Sequence, residues 1–190
     1  MTVLSGDSFP GRKSDAIEPV GDLTLGRLML LLALGAGVVV MEDLFRFALK
    51  LPGHHGLEAM ALLAFARLSC NYRWSASIAA LGSAAAAAAL GVGHGALTPF
   101  LYILPGLVID IGVMLVPAWR RGVLWLPLFA AAGYAAKPAL KWFALQGIGM
   151  EFGSLVNGLA YPFSMHLVFG FTGALVATVA WKNWPRQHDR

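Results

Sequence analysis

The sequence predicts an all-α integral membrane protein, a six-span helical bundle with both termini cytoplasmic. Three observations carry this. Apolar types make up 58% of 190 residues and charged types only 13%, with a mean hydropathy of +0.68. Soluble domains carry about 25% charged residues, so a water-facing surface for this chain would need roughly twice its charge. Apolar runs recur along the whole chain, and a backbone in lipid must satisfy its own hydrogen bonds, which favours helices. The composition excludes an ordinary soluble enzyme and a disordered chain. A single cysteine, Cys70, excludes a disulfide framework and a multi-Cys metal site.

Residues 1–26 are polar and turn-rich (Pro10, Gly11, Pro19, Gly21). They read as a flexible cytoplasmic tail, too long and polar for a signal peptide and without a cleavage site. Span one runs from about Leu25 to Leu49, purely apolar over Leu28–Met41, until Pro52-Gly53 breaks it. Span two, Leu57–Cys70, is short for a bilayer; a re-entrant segment is the alternative. Span three covers Trp74–Gly91 with the Ala84–Ala89 run. Span four covers Ala96–Trp119 with Pro105 and Asp110. Span five covers Val123–Leu145 with Lys137-Pro138. A Gly-rich connection, Gly147–Asn157, leads to span six, Leu159–Trp181. Residues 27–182 thus form one membrane domain, and 183–190 form a second cytoplasmic tail. Six spans of about 20 residues use about 120 residues, which leaves no room for a soluble domain.

Orientation follows from Lys and Arg placement. Both ends inside puts Arg12, Lys13, Arg27, Arg67, Arg73, Arg120, Arg121, Lys182, Arg186 and Arg190 on the cytoplasmic side. Arg46, Lys50, Lys137 and Lys141 lie outside or toward the outer leaflet. That is ten of fourteen basic residues inside. The expected location is therefore the inner (plasma) membrane, multi-pass. The charges mark membrane edges rather than one face, which removes nucleic acid as a partner despite the pI of 9.5.

Polar groups in or near the membrane are the informative ones. Glu42, Arg46 and Lys50 are four apart and share a helix face. They read as a solvated end of span one, or more sharply as a pocket rim closed by the loop Leu51–Gly56. His54 and Glu58 share a face if span two starts early. Lys137 lies about 15 residues into span five, roughly 20 Å along it. A mid-bilayer lysine costs about 2.5–3.5 kcal/mol. With Lys141 one turn on, two cations on one face seek an anion, either a ligand carboxylate or phosphate or the internal Glu151. Asp110 reads as a carboxylate paired with Arg67, Arg120 or Arg121.

His54, His55, His94 and His166 raise a metal- or haem-binding alternative. No two of them have the i,i+3 or i,i+4 spacing of a helical ligand pair, so neither metal nor cofactor is expected. Glu42-Asp43-Leu44-Phe45-Arg46 resembles the glutamate pair and arginine of intramembrane CAAX-type proteases, one residue short and without their histidine motifs. Gly-x-Ser-x-Gly and Walker-type motifs are absent, so no enzymatic activity is expected. Small residues recur in Ala33-Leu34-Gly35-Ala36-Gly37 and at Gly170, Gly173, Ala174 and Ala177. They suit either internal helix packing or a partner protein, as in a structural or assembly subunit of a larger complex.

Two stretches extend the reading. Thr98-Pro99-Phe100-Leu101-Tyr102-Ile103-Leu104-Pro105-Gly106-Leu107-Val108-Ile109-Asp110 resembles the fourth span, and His166-Leu167-Val168-Phe169-Gly170-Phe171-Thr172-Gly173-Ala174-Leu175 the last span, of the S components of energy-coupling factor (ECF) transporters. The resemblance covers residues 27–182 in outline. It implies a membrane-embedded binding component for a vitamin-like small molecule, which the paired lysines make an acidic one. It further implies a transmembrane coupling protein and ATPase subunits as partners, with Ala33 and Gly37 as the docking face. It places Lys137, Lys141, Trp142, Glu151, Asn157, Tyr161, Tyr102 and His54 near the ligand. The metal-binding branch of that family carries an N-terminal histidine. Here the chain starts Met1-Thr2-Val3 with no histidine before His54, which argues against nickel or cobalt.

Overall fold

A computed structural model describes residues 22–44, 51–92, 95–120, 122–147 and 159–184. Among them are six α-helices and no strand: α1 Leu25–Leu44, α2 Gly56–Ser69, α3 Ser75–Ala89, α4 Thr98–Leu115, α5 Trp125–Gly147 and α6 Ala160–Asn183. Three of these, α1, α4 and α6, are long and apolar enough to cross a membrane. The expected limits of spans two, three, five and six lie within two residues of the observed helices. Span four ends earlier than expected. Pro117 disfavours helical backbone at the residue before it, Val116 turns extended (φ −120°, ψ 84°), and Pro117–Arg120 forms one 3₁₀ turn. The end of span one, 45–50, lies outside the described residues, and with it Arg46 and Lys50.

α2 is the central element. It has 14 residues, roughly 21 Å of helix, against a hydrocarbon core of about 30 Å. It contacts all five other helices, while α1–α3–α4–α5–α6 pair in succession around it. Ala59, Met60, Leu63, Ala64 and Ala66 are accordingly buried. The short length is compatible with a central position because α2 starts within the bundle. The backbone of Gly56 and Leu57 lies against Gly173 of α6, where a β-carbon would strike it.

The small-residue stripes divide by role. Gly35 of α1 and Gly82 of α3 sit where a β-carbon would hit the other helix, and Ser83 Oγ donates to Gly35 O across that crossing (2.8 Å). Gly170, Gly173, Ala174 and Ala177 of α6 are all buried inside the bundle. Ala33 and Gly37 face elsewhere: with Leu30, Leu34, Met41, Ala61 and Leu62 they line an apolar groove of about 440 Å³ between α1 and α2, with Glu58 also on its wall.

Two charged clusters mark the two ends of the bundle. At one end, Asp110 of α4 is fully buried. It accepts hydrogen bonds from the Ala76 amide (3.3 Å), the Ser77 amide (2.7 Å) and Ser77 Oγ (2.7 Å). The first N–H groups of a helix have no partner of their own, and the preceding residue, Trp74, makes no side-chain cap. Asp110 therefore caps α3 from a different helix. Arg67 of α2 closes the cluster, with Nε 3.7 Å from Asp110 Oδ1 and Nη1 within reach of Cys70 O, Tyr72 O and Ser75 Oγ. The indole of Trp119 lies between the Arg67 and Arg120 guanidinium groups, at 5.2 and 5.0 Å. Of the three arginines expected as partners, Arg67 pairs with Asp110 and Arg120 bonds the Asn71 amide oxygen, while Arg121 lies outside the described residues.

Candidate ligand site

The second cluster lies at the other end, around Lys137. Helical spacing puts Tyr134 three residues before Lys137, on the same face of α5. The Lys137 ammonium stands 4.7 Å from the Tyr134 ring centroid and 5.1 Å from that of Tyr102 on α4. A cation over an aromatic face gains about 2 kcal/mol when desolvated. Two such contacts offset part of the cost of burying the ammonium. Among the described residues these two ring faces are its direct contacts. An ammonium carries three N–H donors, and rings do not engage them as an oxygen would.

Glu42, near the end of α1, completes the pair of charges. Tyr102 donates its hydroxyl proton to Glu42 Oε2 at 2.7 Å. The phenol thus touches the carboxylate with its oxygen and the ammonium with its ring, and Glu42 acts on Lys137 as the opposite charge. Glu42 and Lys137 are each only partly exposed. The expected internal partner, Glu151, lies outside the described residues, as does Asn157.

Tyr134 continues the site toward α6. Its ring stacks on His166 at 4.8 Å and 27°. His166 Nδ1 donates to Pro162 O (2.7 Å), which leaves Nε2 as the acceptor of the neutral ring. Both rings seat against the turn before α2. Gly53 has φ +80°, a conformation that only glycine adopts readily, and a β-carbon there would lie 2.7 Å from His166 Nδ1. A β-carbon on Gly56 would enter the Tyr134 ring. The turn Pro52–His55 is therefore shaped to close over the Tyr134–His166 stack.

The histidine pattern differs from expectation. His55, not His54, partners Glu58, with Nδ1 2.8 Å from Oε1. Three residues separate His55 from Glu58, and α2 begins at Gly56, too late to bring His54 onto that face. His54 donates instead from Nδ1 to Leu51 O (2.8 Å), and its ring lies 3.9 Å from that of His55. Its Nε2 is buried with no hydrogen-bond partner among the described residues. No three His, Cys, Asp or Glu side chains among the described residues converge as a metal-ligand set.

Of the expected site residues, Lys137 and Tyr102 come together and His54 sits in the adjoining turn. Lys141, one turn after Lys137, is exposed on α5. Trp142 meets Phe143 edge-on at 4.9 Å, away from the two-tyrosine cage. Tyr161 is 38% exposed at the start of α6. Tyr134, and the part played by His166, are what the sequence reading missed. The signal for Tyr134 was its i−3 spacing from Lys137. His166 had none, because only the fold brings α6 against Tyr134.

Comparison with protein-family models, with curated proteins and with solved structures finds no match.

Proposed function

We propose that this chain is a membrane-embedded binding component for uptake of a small acidic molecule, with the Lys137 cluster as its ligand site. The carrying observation is the Lys137 ammonium, held over two ring faces with its N–H donors unspent among the described residues. A carboxylate or phosphate supplies the charge-assisted hydrogen bonds those donors lack. Tyr102, Tyr134 and His166 offer ring faces on which a flat ligand stacks. In this reading the six helices span the plasma membrane with both termini in the cytoplasm, as the Lys and Arg distribution favours. The Glu42 end then faces outward and the Asp110 end inward. The site binds and releases; no catalytic step is assigned to it.

Native mass spectrometry of the protein purified in mild detergent tests this reading. The expected result is a retained ring compound bearing a carboxylate or phosphate, lost in Lys137→Met while the protein stays folded. Retention unchanged in Lys137→Met overturns the assignment.

A second reading rests on the α1–α2 groove. Its wall of Ala33, Gly37 and larger apolar side chains suits a transmembrane partner helix. The partner is either a coupling protein with its ATPase subunits or, for an assembly subunit, a larger membrane complex. Co-purification of a partner subunit, lost when Gly37 is replaced by Leu, is the result expected of either.

A further inference from the structure

We infer that a ligand anion seated on Lys137 binds together with one proton, and that Glu42 holds that proton. The inference rests on the binding reading above and adds to it the charge arithmetic of the site. Without ligand, the partly buried charges of opposite sign at this site among the described residues are Lys137 and Glu42, linked through Tyr102. An anion arriving at Lys137 takes over that cation and leaves the Glu42 carboxylate as a second negative charge beside it. Like charges in a poorly solvated site do not both stay ionised.

The groups facing Glu42 narrow the choice of proton acceptor. From α4 comes Tyr102, a neutral phenol that already donates to Oε2. From α5 come Lys137 and Tyr134, with Lys141 exposed further along. From α2 and its preceding turn come Glu58, held by His55 at 2.8 Å, and His54, held by Leu51 O. From α6 comes His166, on the far side of the Tyr134 ring. Asp43 follows Glu42 on α1 and is exposed, and α3 carries no titratable side chain. Glu42 is the anion closest in the network to the one the ligand brings. Its Oε2 is occupied by Tyr102, so Oε1 takes the proton without breaking that bond. The balance is one proton from the aqueous phase added to Oε1 for each ligand anion bound, with no other bond made or broken.

The linkage is testable without knowing the ligand. Removing the cation in Lys137→Met or Lys137→Gln unbalances Glu42 as the ligand does. Infrared spectroscopy of the full-length protein in detergent at neutral pH reads the outcome, with size-exclusion elution selecting the folded variant. The expected result is a protonated-carboxyl C=O band in the Lys137 variant. The band is absent from the wild type and disappears again when Glu42→Gln is added. A folded Lys137 variant with no such band, or one whose band survives Glu42→Gln, overturns the inference. Failure of the binding reading, with no acidic molecule retained by the wild type, leaves this band untouched, so the two fail separately.

Discussion

The two charged clusters differ in what holds their charges, directed hydrogen bonds at one end of the bundle and ring faces at the other. Asp110 is fully buried and accepts three hydrogen bonds, two from the start of α3 and one from Ser77 Oγ. Its ion-pair partner, Arg67, spreads Nη1 over two carbonyls and a hydroxyl. Arg67 Nε, 3.7 Å from Asp110 Oδ1, has no hydrogen-bond partner among the described residues, but the remaining bonds tie α2, α3 and α4 together. Lys137 is held by two ring faces and a neighbouring carboxylate. Rings give an ammonium energy without direction, and its donors stay available. Similar residue types thus make a joint at one end of the bundle and a binding site at the other.

Asp110→Ala is the strongest way to break this contrast. It removes the cap of α3 and leaves Arg67 as an unpaired buried charge, a loss of about 3–5 kcal/mol. The thermal unfolding midpoint in detergent reads it, and Asp110→Asn, which keeps an acceptor for Ser77, falls less. A stable Asp110→Ala protein sinks the structural role. Gly56→Ala drives a methyl into the Tyr134 ring, an overpacking cost of about 1–3 kcal/mol. It is expected to lower both the unfolding midpoint and ligand retention, because the turn and the site share that contact. Tyr102→Phe removes the bond to Glu42, worth about 1 kcal/mol, but keeps the ring against Lys137; ligand retention falls less than in Lys137→Met. Lys137→Met itself sharpens the contrast most: the unfolding midpoint holds or rises, because an apolar side chain replaces a partly buried charge, while the ligand is lost. Lys141→Ala, at an exposed position, changes stability by no more than about 0.5 kcal/mol. A loss of ligand there as large as in Lys137→Met restores the paired-lysine reading.

Much of the helical frame was legible because its signal is local. Apolar runs and Pro52-Gly53 act within a few residues, so most helix positions followed from composition and breakers, while span four was carried past Pro117, which ends α4. That Asp110 pairs with an arginine was legible because a lone carboxylate in an apolar run must find its opposite, but which of Arg67, Arg120 and Arg121 it meets was left open. The site was legible only in part. Lys137 drew attention as a costly residue, and Tyr102 through the family likeness of its stretch. Glu42 stood out as polar, yet its sequence neighbours Asp43 and Arg46 made a solvated helix end the simpler reading. Spacing suggested Lys141 as the companion of Lys137, but Lys141 is exposed while Lys137 lies against the Tyr102 and Tyr134 rings.

By itself the sequence determined an all-helical chain of apolar segments with a strong charge bias at the segment ends, because hydropathy and charge act position by position. Only the tertiary structure decided that short α2 is the centre of the bundle. It alone separated Gly35, spent on packing against α3, from Ala33 and Gly37 on the groove. It alone brought Glu42, Tyr102, Tyr134, Lys137 and His166 from four helices into one cluster. The reason is that helix crossings set those meetings: where two backbones touch depends on which residues lack a β-carbon on both partners at once, and no single helix contains that information.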